Sequence, residues 1–230
     1  MRRASILLAG MLLAWMGASA QSAPLPSASS EGSDSGPFRY VLFAFKPVQP
    51  GAKGWQLGLS GNGKGSWAIN GVDEGTPIRV SAATLAEIAK AEPAVAANHC
   101  ETKAKHIAQT GRKSILFISP SASCEFNYSD NQVLNTVAGL FLAMNQTLEM
   151  GAELTRLQRY DRLGLDAEME ALVAAQKDGS AIEIENIAPV LQALVQDDDV
   201  IDRVRRKAAR LLQGAGAPVP AGYDPDSNDR

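Results

Sequence analysis

The spacing of apolar residues changes at about residue 129, and this change limits the fold more than any other feature of the sequence. Between Phe38 and Tyr128, short apolar runs are separated by Gly, Pro, Asn and Ser, as is typical of β-strands joined by turns. From Ser129 onward, apolar residues recur every three or four positions, which indicates amphipathic helices. The sequence therefore predicts an α+β protein, with an N-terminal, mostly antiparallel sheet and one or two helices, followed by an all-helical C-terminal half.

Six segments of the first half have the composition of strands. They are rich in aromatic and β-branched residues and are bounded by turn residues: FRYVLFAFKP, GWQLGLS, GSWAIN, TPIRVS, KSILFIS and CEFNYS. Between the fourth and the fifth of these segments, Ser81 is predicted to cap a helix that ends near Pro93. A second helical piece is predicted to follow and to stop near Gly111.

The glycine-rich segment at residues 58–66, GLSGNGKGS, is one residue short of a phosphate-binding loop. Gly65 stands where a Ser or Thr would ligate magnesium. Such a loop must also open a helix, whose N-terminal amides hold the phosphates, whereas this segment precedes the predicted strand SWAIN. We therefore predict a hairpin turn, in which glycines adopt positive φ, and no nucleotide site.

A long helix is predicted at the start of the second half. Ser129 and Gln132 match a capping box, and the apolar residues that follow them lie on one helical face. The pattern allows one helix of nearly 30 residues or two pieces that meet at Gly151. In either form, this helix is predicted to pack on the sheet.

The rest of the second half is predicted to fold into helical pairs. Gly164 is predicted to end the long helix and Asp166 to cap the next one, which makes a helical hairpin. Two further helices are predicted at residues 186–196 and 200–212, with Pro189 tolerated because it falls in a first turn.

The last predicted pair resembles part of a HEAT-type repeat. An acidic run at residues 197–199 is predicted to begin the last helix, where it complements the helix dipole. The residues that match the second helix of such a repeat are Val204, Arg205, Ala208, Ala209 and Leu212. The resemblance covers residues 184–212 and implies a packed pair of helices, because a solenoid would need several repeats.

Two groups of basic residues in the helical half are open to more than one interpretation. Arg156, Arg159 and Arg162 are predicted to form internal ion pairs with Asp166 and Glu168, and a binding site is the alternative. The basic side chains on one face of the last helix are expected to be solvated, and an anionic partner is the alternative: Arg203, Arg205, Arg206, Lys207 and Arg210.

The first 20 residues have the layout of a secretory signal peptide. Arg2 and Arg3 precede an apolar run of about 12 residues, and cleavage is expected after Ala20. That run is shorter than the roughly 20 residues that a membrane-spanning helix needs, and no later segment is longer and equally apolar. We therefore expect a soluble protein that is periplasmic or secreted, with no transmembrane segment after cleavage.

The chain is predicted to have five regions: a signal peptide at 1–20, a disordered linker at 21–36, a sheet region at 37–128, a helical region at 129–212 and a disordered tail at 213–230. The linker and the tail consist mostly of Ser, Ala, Pro, Gly and acidic residues, and their few apolar side chains cannot repay the entropy of ordering. Loss of the two signal-peptide arginines lowers the formal charge from −3 to −5. This balance does not suggest a nucleic-acid partner.

Both cysteines and both histidines lie within residues 98–126. On a helix, His99 and His106 would be about 10.5 Å apart along the axis, too far for one zinc ion, which binds nitrogen at about 2.0 to 2.1 Å. Because an exported protein with two cysteines normally oxidises them, we predict a disulfide between Cys100 and Cys124. We assign no catalytic residue, cofactor or metal site.

A basic loop beside the predicted disulfide is the candidate partner-binding surface, and a solvated loop without a partner is the alternative interpretation. Its residues are Lys103, Lys105, His106, Arg112 and Lys113. The leading hypothesis is an exported, soluble, non-catalytic protein-interaction module of the bacterial cell envelope or secretome, because no catalytic motif is recognised. Its partner would be another exported protein.

Three other functions are alternatives. The first is a secreted peptidase inhibitor, since the order of strands and helices from Phe38 to Leu148 is broadly similar to that of small bacterial inhibitors of the emfourin type. The second is a binder of a small ligand or an envelope polymer, with stacking on aromatic residues of the sheet: Tyr40, Trp55 and Trp67. The third is an enzyme that uses His99 or His106 as its base.

Overall fold

The computed structural model of the chain describes residues 36–70, 75–98, 100–102, 111–119, 121–221 and 223. The predicted signal peptide and residues 21–35 of the predicted linker lie outside these ranges. Within them the α+β architecture is confirmed, because six strands come first and four of the six helices follow. The strands are β1 (Tyr40–Pro47), β2 (Trp55–Ser60), β3 (Lys64–Ile69), β4 (Thr76–Arg79), β5 (Gly111–Ile118) and β6 (Ala122–Phe126). The helices are α1 (Ala82–Ala89), α2 (Glu92–Ala96), α3 (Gln132–Tyr160), α4 (Leu165–Asp178), α5 (Ala188–Gln196) and α6 (Asp202–Gly214).

The six strands form one antiparallel sheet in the order β4-β3-β2-β1-β5-β6. In β1, Val41 and Phe43 are fully buried, and each lies between buried residues of β2 and β5. Since successive side chains of a strand point to opposite faces, these residues define the inner face of the sheet. The ring of Phe43 stacks on Phe141 of α3 with 4.6 Å between ring centroids. The predicted packing of the long helix on the sheet is thereby confirmed.

The turn between β2 and β3 confirms the interpretation of the glycine-rich segment as a hairpin. Gly63 has a φ of +82°, a value that glycine adopts without steric cost. The side chain of Asn62 accepts hydrogen bonds from Ser60 Oγ at 2.6 Å and from the Lys64 amide at 3.0 Å. The segment thus connects two paired strands and opens no helix.

Helix α3 is one continuous helix of 29 residues. Its N-cap is Asn131, whose side chain accepts hydrogen bonds from two backbone amides of the first turn, so the predicted Ser129 capping box is wrong. Gly151 lies inside the helix and faces Ile187, whose Cγ2 would be 2.4 Å from a Cβ at position 151. The glycine therefore marks a close approach between α3 and the segment before α5, not a break in the helix.

Buried polar contacts join α3 to its neighbours. The indole Nε1 of Trp67 in β3 donates to Asn145 Oδ1 at 2.8 Å. The hydroxyl of Thr147 donates to the carbonyl oxygen of Ile182 at 2.7 Å. Because an unpaired buried polar group is costly, these bonds favour one register of α3 against the sheet and against the segment that follows α4.

Several predicted helix boundaries are confirmed and others are wrong. Ser81 caps α1 through its side chain, and Pro189 lies in the first turn of α5. In the described residues, the second helical piece ends earlier than predicted: α2 ends at Ala96 and Asn98 adopts a φ of +54°. Residues 103–110 of the predicted piece lie outside the described residues. Gly164 occupies the N-cap position of α4 without a side-chain cap, so Asp166 is not the capping residue.

The predicted pairing of the arginines near residue 160 is wrong. Arg162 pairs with Asp197 and Asp199, at 3.3 and 3.0 Å, on the connection between α5 and α6. Arg156 pairs with Glu153, one turn earlier on α3. A short 3₁₀ turn at Arg162–Gly164 carries the chain from α3 into α4, and this turn directs Arg162 toward the α5–α6 connection.

Helix α6 begins at Asp202, after the acidic run that was predicted to start it. Its basic face contacts carboxylates of other elements: Arg203 pairs with Asp166 at 2.8 Å, and Lys207 pairs with both Asp166 and Glu170 of α4. Helices α5 and α6 pack against each other, as the HEAT-type resemblance implies. No helix in the described part of the chain has both the length and the apolar character needed to cross a lipid bilayer.

The described residues beyond α6 contact the helices. Ala215, Ala217 and Val219 pack against the core, and Tyr223 lies 5.0 Å from the guanidinium of Arg205 and donates to Asp202 at 3.2 Å. Residues 222 and 224–230 of the predicted tail lie outside the described residues.

Candidate functional site

The side of the sheet that faces away from α3 carries a strip of apolar side chains. In the register of the sheet, Tyr40 lies opposite Ile118, and Leu42 lies opposite Leu116. These four residues and Ala44 are partly exposed, and Ile118 is 40% exposed. They alternate with the buried residues of β1 and β5, so they share the outer face. We call these five residues the apolar strip.

Short polar side chains border the apolar strip. Each is paired directly with a strip residue in the register of the sheet: Gln56, Ser60, Ser114 and Ser123. The phenol of Tyr40 lies across Gly58, where a Cβ would be 2.0 Å from Tyr40 Oη, and burial raises the pKa of Tyr40. The outer face thus has an apolar centre and a rim of hydroxyl and amide groups.

The apolar strip departs from the usual pattern of a one-sided antiparallel sheet. Such a sheet normally alternates apolar residues toward the core with polar residues toward water. Strand β1 reads YVLFAF and strand β5 contains ILFI, so both strands are apolar on both faces. This continuous apolar sequence in two central strands is the signal that sequence analysis could have used to find the outer face.

A shallow depression lies at one side of the apolar strip. It has a volume of about 540 Å³ and is lined by Leu42, Asn98, Ser114–Leu116 and Ser123–Glu125. Leu42 and Leu116 supply its apolar lining, and the serine and carboxylate side chains supply polar groups. Binding sites commonly combine an apolar surface with a few polar groups of this kind.

The predicted disulfide is present and lies beside this depression. Cys100 and Cys124 are joined, with 6.0 Å between their Cα atoms, and both residues are buried. The sequence analysis assumed that the segment around Cys100 is helical. Cys100 lies outside the described helices, since α2 ends at Ala96, so this assumption is wrong at Cys100. The bond attaches the segment after α2 to edge strand β6.

Two residues of the predicted basic loop are described, and both lie in β5. Arg112 pairs with Glu101 at 3.5 Å and with Glu125 at 3.3 Å. Lys113 donates to the carbonyl oxygen of Asn127 at 2.9 Å, and burial lowers its pKa. Lys103, Lys105, His106 and also His99 lie outside the described residues, so a partner-binding role for this loop and an enzymatic role for the histidines stay predictions.

The aromatic residues proposed for stacking on a ligand are divided between the two faces of the sheet. Trp55 and Trp67 are buried on the inner face. The ring of Trp55 stacks on Phe43 with 5.6 Å between centroids, and Trp67 is hydrogen-bonded within the core. Of the three, Tyr40 alone lies on the outer face, so the stacking interpretation is wrong for both tryptophans.

A polar cluster that the sequence analysis did not identify lies near β4, at the edge of the sheet opposite to β6. The carboxylate of Glu183 accepts hydrogen bonds from the amide and the hydroxyl of Ser81, at 3.1 and 2.8 Å, and from Thr84 Oγ1 at 2.5 Å. Burial and the neighbouring Glu183 raise the pKa of Glu185 to about 7. Across the described ranges, no three His, Cys, Asp or Glu side chains are grouped so that they could hold a metal ion.

In comparisons with known proteins, no protein-family model, no curated protein and no solved structure matches the chain.

Proposed function

We propose that the chain is an exported, soluble, non-catalytic protein-interaction module of the bacterial cell envelope or secretome, and that its partner is another exported protein. The observation that carries the proposal is the apolar strip on the outer face of the sheet. A partly exposed apolar surface with a polar rim is the usual composition of a protein interface. The disulfide supports export, since such bonds persist in oxidising compartments.

The chemistry of the outer face defines the partner surface. The apolar strip carries no charge, and Arg112 and Glu125 at its border pair with each other. Association would therefore depend mainly on burial of apolar area, with hydrogen bonds to the serine hydroxyls at the rim. The matching surface of the partner is an apolar patch bordered by hydrogen-bonding groups, and its affinity should change little with salt.

An arginine at position 118 should weaken partner binding without unfolding the protein. The Ile118→Arg variant places a charge in the apolar strip, where burial in an interface would strip it of water. We expect the dissociation constant to rise about tenfold or more. The measurement is calorimetric titration of the purified variant with the protein that co-purifies with the wild-type chain from the exported fraction.

The matched control is Leu142→Arg on helix α3. Leu142 is 37% exposed, close to the 40% of Ile118, but it lies away from the outer face of the sheet. This control should bind the partner as the wild type does, and both variants should unfold at similar urea concentrations. Equal binding by Ile118→Arg and the wild type, or a larger loss for Leu142→Arg, would place the interaction elsewhere.

A further inference from the structure

Two cations lie opposite each other on the two strands at the β4 edge of the sheet. Lys64 of β3 and Arg79 of β4 are partners in the strand register, so their Cβ atoms are roughly 5 Å apart. Ile78 is buried on the inner face, and successive side chains of a strand alternate between faces. Lys64 and Arg79 therefore share the outer face, where both are exposed. Like charges in this arrangement repel each other, which destabilises the strand pair.

No carboxylate in the described part of the chain offsets this repulsion. Neither the Lys64 nor the Arg79 side chain forms an ion pair or a hydrogen bond with a described residue. A second like-charge pair of the sheet, Lys46 opposite Arg112, differs in this respect, because Arg112 pairs with two carboxylates. Lys64 and Arg79 can thus accept an anionic group that the described residues do not supply.

The two cations line a cavity of about 610 Å³ together with the carboxyl group of Glu185. The residue next to Glu185 attaches it to β4: Asn186 Nδ2 donates to the Arg79 carbonyl oxygen at 2.8 Å, and Asn186 Oδ1 accepts from the Arg79 amide at 2.7 Å. These bonds hold the 3₁₀ turn Ile184–Ile187 against the end of the strand. The volume of the cavity is within the range of small-molecule sites.

Two prolines supply apolar surface to the same cavity. Pro77 lies on the outer face of β4, two residues before Arg79, and Pro189 lies in the first turn of α5. Their rings carry no charge and no hydrogen-bonding group. The cavity therefore combines two cations, one carboxyl group and an apolar wall, as sites for small polar molecules commonly do.

We propose that this cavity binds an aliphatic amino acid as a zwitterion, with the carboxylate between Lys64 and Arg79 and the ammonium group on Glu185. The planar guanidinium can donate two parallel hydrogen bonds to a carboxylate, and the lysine adds a point charge. The aliphatic side chain of the ligand would contact the two prolines.

The three charges of the cavity favour a zwitterion over a ligand with a single charge. A simple anion would face the Glu185 carboxylate, and a simple cation would face Lys64 and Arg79. A molecule with both groups complements all three side chains. Strand β2 separates this cavity from the apolar strip on β1 and β5, so the inference does not rest on the proposed interaction module.

NMR of the isotope-labelled protein, titrated with L-leucine at about pH 8, tests the site. At this pH Glu185 is mostly ionised, because its pKa is about 7. We expect saturating shifts of the Gly65 and Arg79 amides, with a dissociation constant on the order of 1 mM, as is typical of a small ligand in an open site. The amide of Phe43 in the central strand β1 should not shift, since this strand lies away from the cavity in the sheet order.

Two compounds with the carbon skeleton of leucine separate the charges of the ligand. Isocaproate lacks the ammonium group, and isoamylamine lacks the carboxylate. Isocaproate should bind roughly threefold to fivefold more weakly than leucine, which is the effect of one exposed ion pair, and isoamylamine should give no saturating shift. Equal affinity for isocaproate and leucine, or no saturating shift with leucine itself, would overturn the proposal.

Variants of the cavity assign the role of each side chain. Lys64→Gln and Arg79→Gln should each weaken leucine binding about threefold to fivefold. Glu185→Gln should weaken leucine binding but not isocaproate binding, because it removes a carboxylate that attracts the first compound and repels the second.

Lys46→Gln, which replaces an exposed lysine on the outer face of β1, is the matched control and should bind leucine as the wild type does. A similar loss in this control, or unchanged binding in both Lys64→Gln and Arg79→Gln, would show that leucine does not occupy the cavity. The comparison of the three compounds on the wild-type protein decides the matter even if a variant folds poorly.

Discussion

Replacing both Cys100 and Cys124 with alanine is expected to lower the free energy of unfolding by about 3.5 kcal/mol. The bond closes a loop of about 25 residues, and the chain-entropy model assigns a penalty of that size to the freedom regained by the unfolded chain. Alanine is chosen because both positions are buried, where a serine hydroxyl would add a desolvation cost of its own. The loss is a large share of the 5 to 15 kcal/mol, roughly, that stabilises a typical domain.

Urea unfolding of the wild type and the double variant, with and without a reducing agent, measures this effect. Reduction should bring the wild type to about the midpoint of the double variant and should leave the double variant itself unchanged. Thiol titration of the native protein should find no free sulfhydryl. Two free thiols, or equal midpoints under oxidising conditions, would contradict the structural role of the bond.

The Phe141→Ala variant is expected to lose about 3 to 5 kcal/mol of stability. Phe141 is fully buried between α3 and the sheet, and its ring lies nearly parallel to that of Phe43, with an interplanar angle of 7°. Its truncation removes the ring of α3 that stacks on Phe43 of the sheet and leaves a cavity in the core. Chemical denaturation monitored by tryptophan fluorescence measures the change, because Trp55 stacks on Phe43 in the same core.

Leu142→Ala is the matched control for this prediction. Leu142 follows Phe141 in the same helix but is 37% exposed, and a substitution at such a position should change stability by no more than about 0.5 kcal/mol. Similar losses in the two variants would show that α3 is stabilised by its own helical propensity and not by packing on the sheet.

The periodicity of apolar residues was enough to predict the class of fold and most of its elements. All six strands and the long helix follow from local patterns, since the alternation of β-strands and the spacing of helices are direct consequences of backbone geometry. Gly151 left two possibilities open because its tolerance depends on Ile187, a residue 36 positions away that occupies the space beside it. A local pattern contains no information about that contact.

The errors arose where tertiary contacts compete with local propensity. The segment that contains Cys100 has helix-forming residues, yet α2 ends at Ala96. The disulfide and the hydrogen bond from the Thr102 amide to the Tyr128 carbonyl oxygen attach the following residues to the β6 end of the sheet. The disulfide was predicted from the compartment and the number of cysteines. Helix propensity alone, however, did not predict that α2 ends before Cys100.

The polar cluster around Glu183 could not be assembled from sequence spacing. Glu183 and its hydrogen-bond donor Ser81 are about a hundred positions apart, and the element that joins them is a connection with no regular pattern. The apolar strip, in contrast, left a signal in β1 and β5, where outward positions 40, 42, 44, 116 and 118 are apolar or aromatic as well as the inward ones. That pattern becomes informative once the helices are known to cover one face of the sheet.

Site-specific photo-crosslinking tests the central claim, that the outer face of the sheet binds another exported protein, most directly. A photo-reactive phenylalanine derivative would be placed at position 118 in the apolar strip and, as the control, at position 142 on α3, in chains exported by their bacterial host. Irradiation should yield one discrete adduct with another exported protein at position 118 and none at position 142. Absence of an adduct at position 118, or the same adducts at both positions, would contradict the assignment of the outer face as the interaction surface.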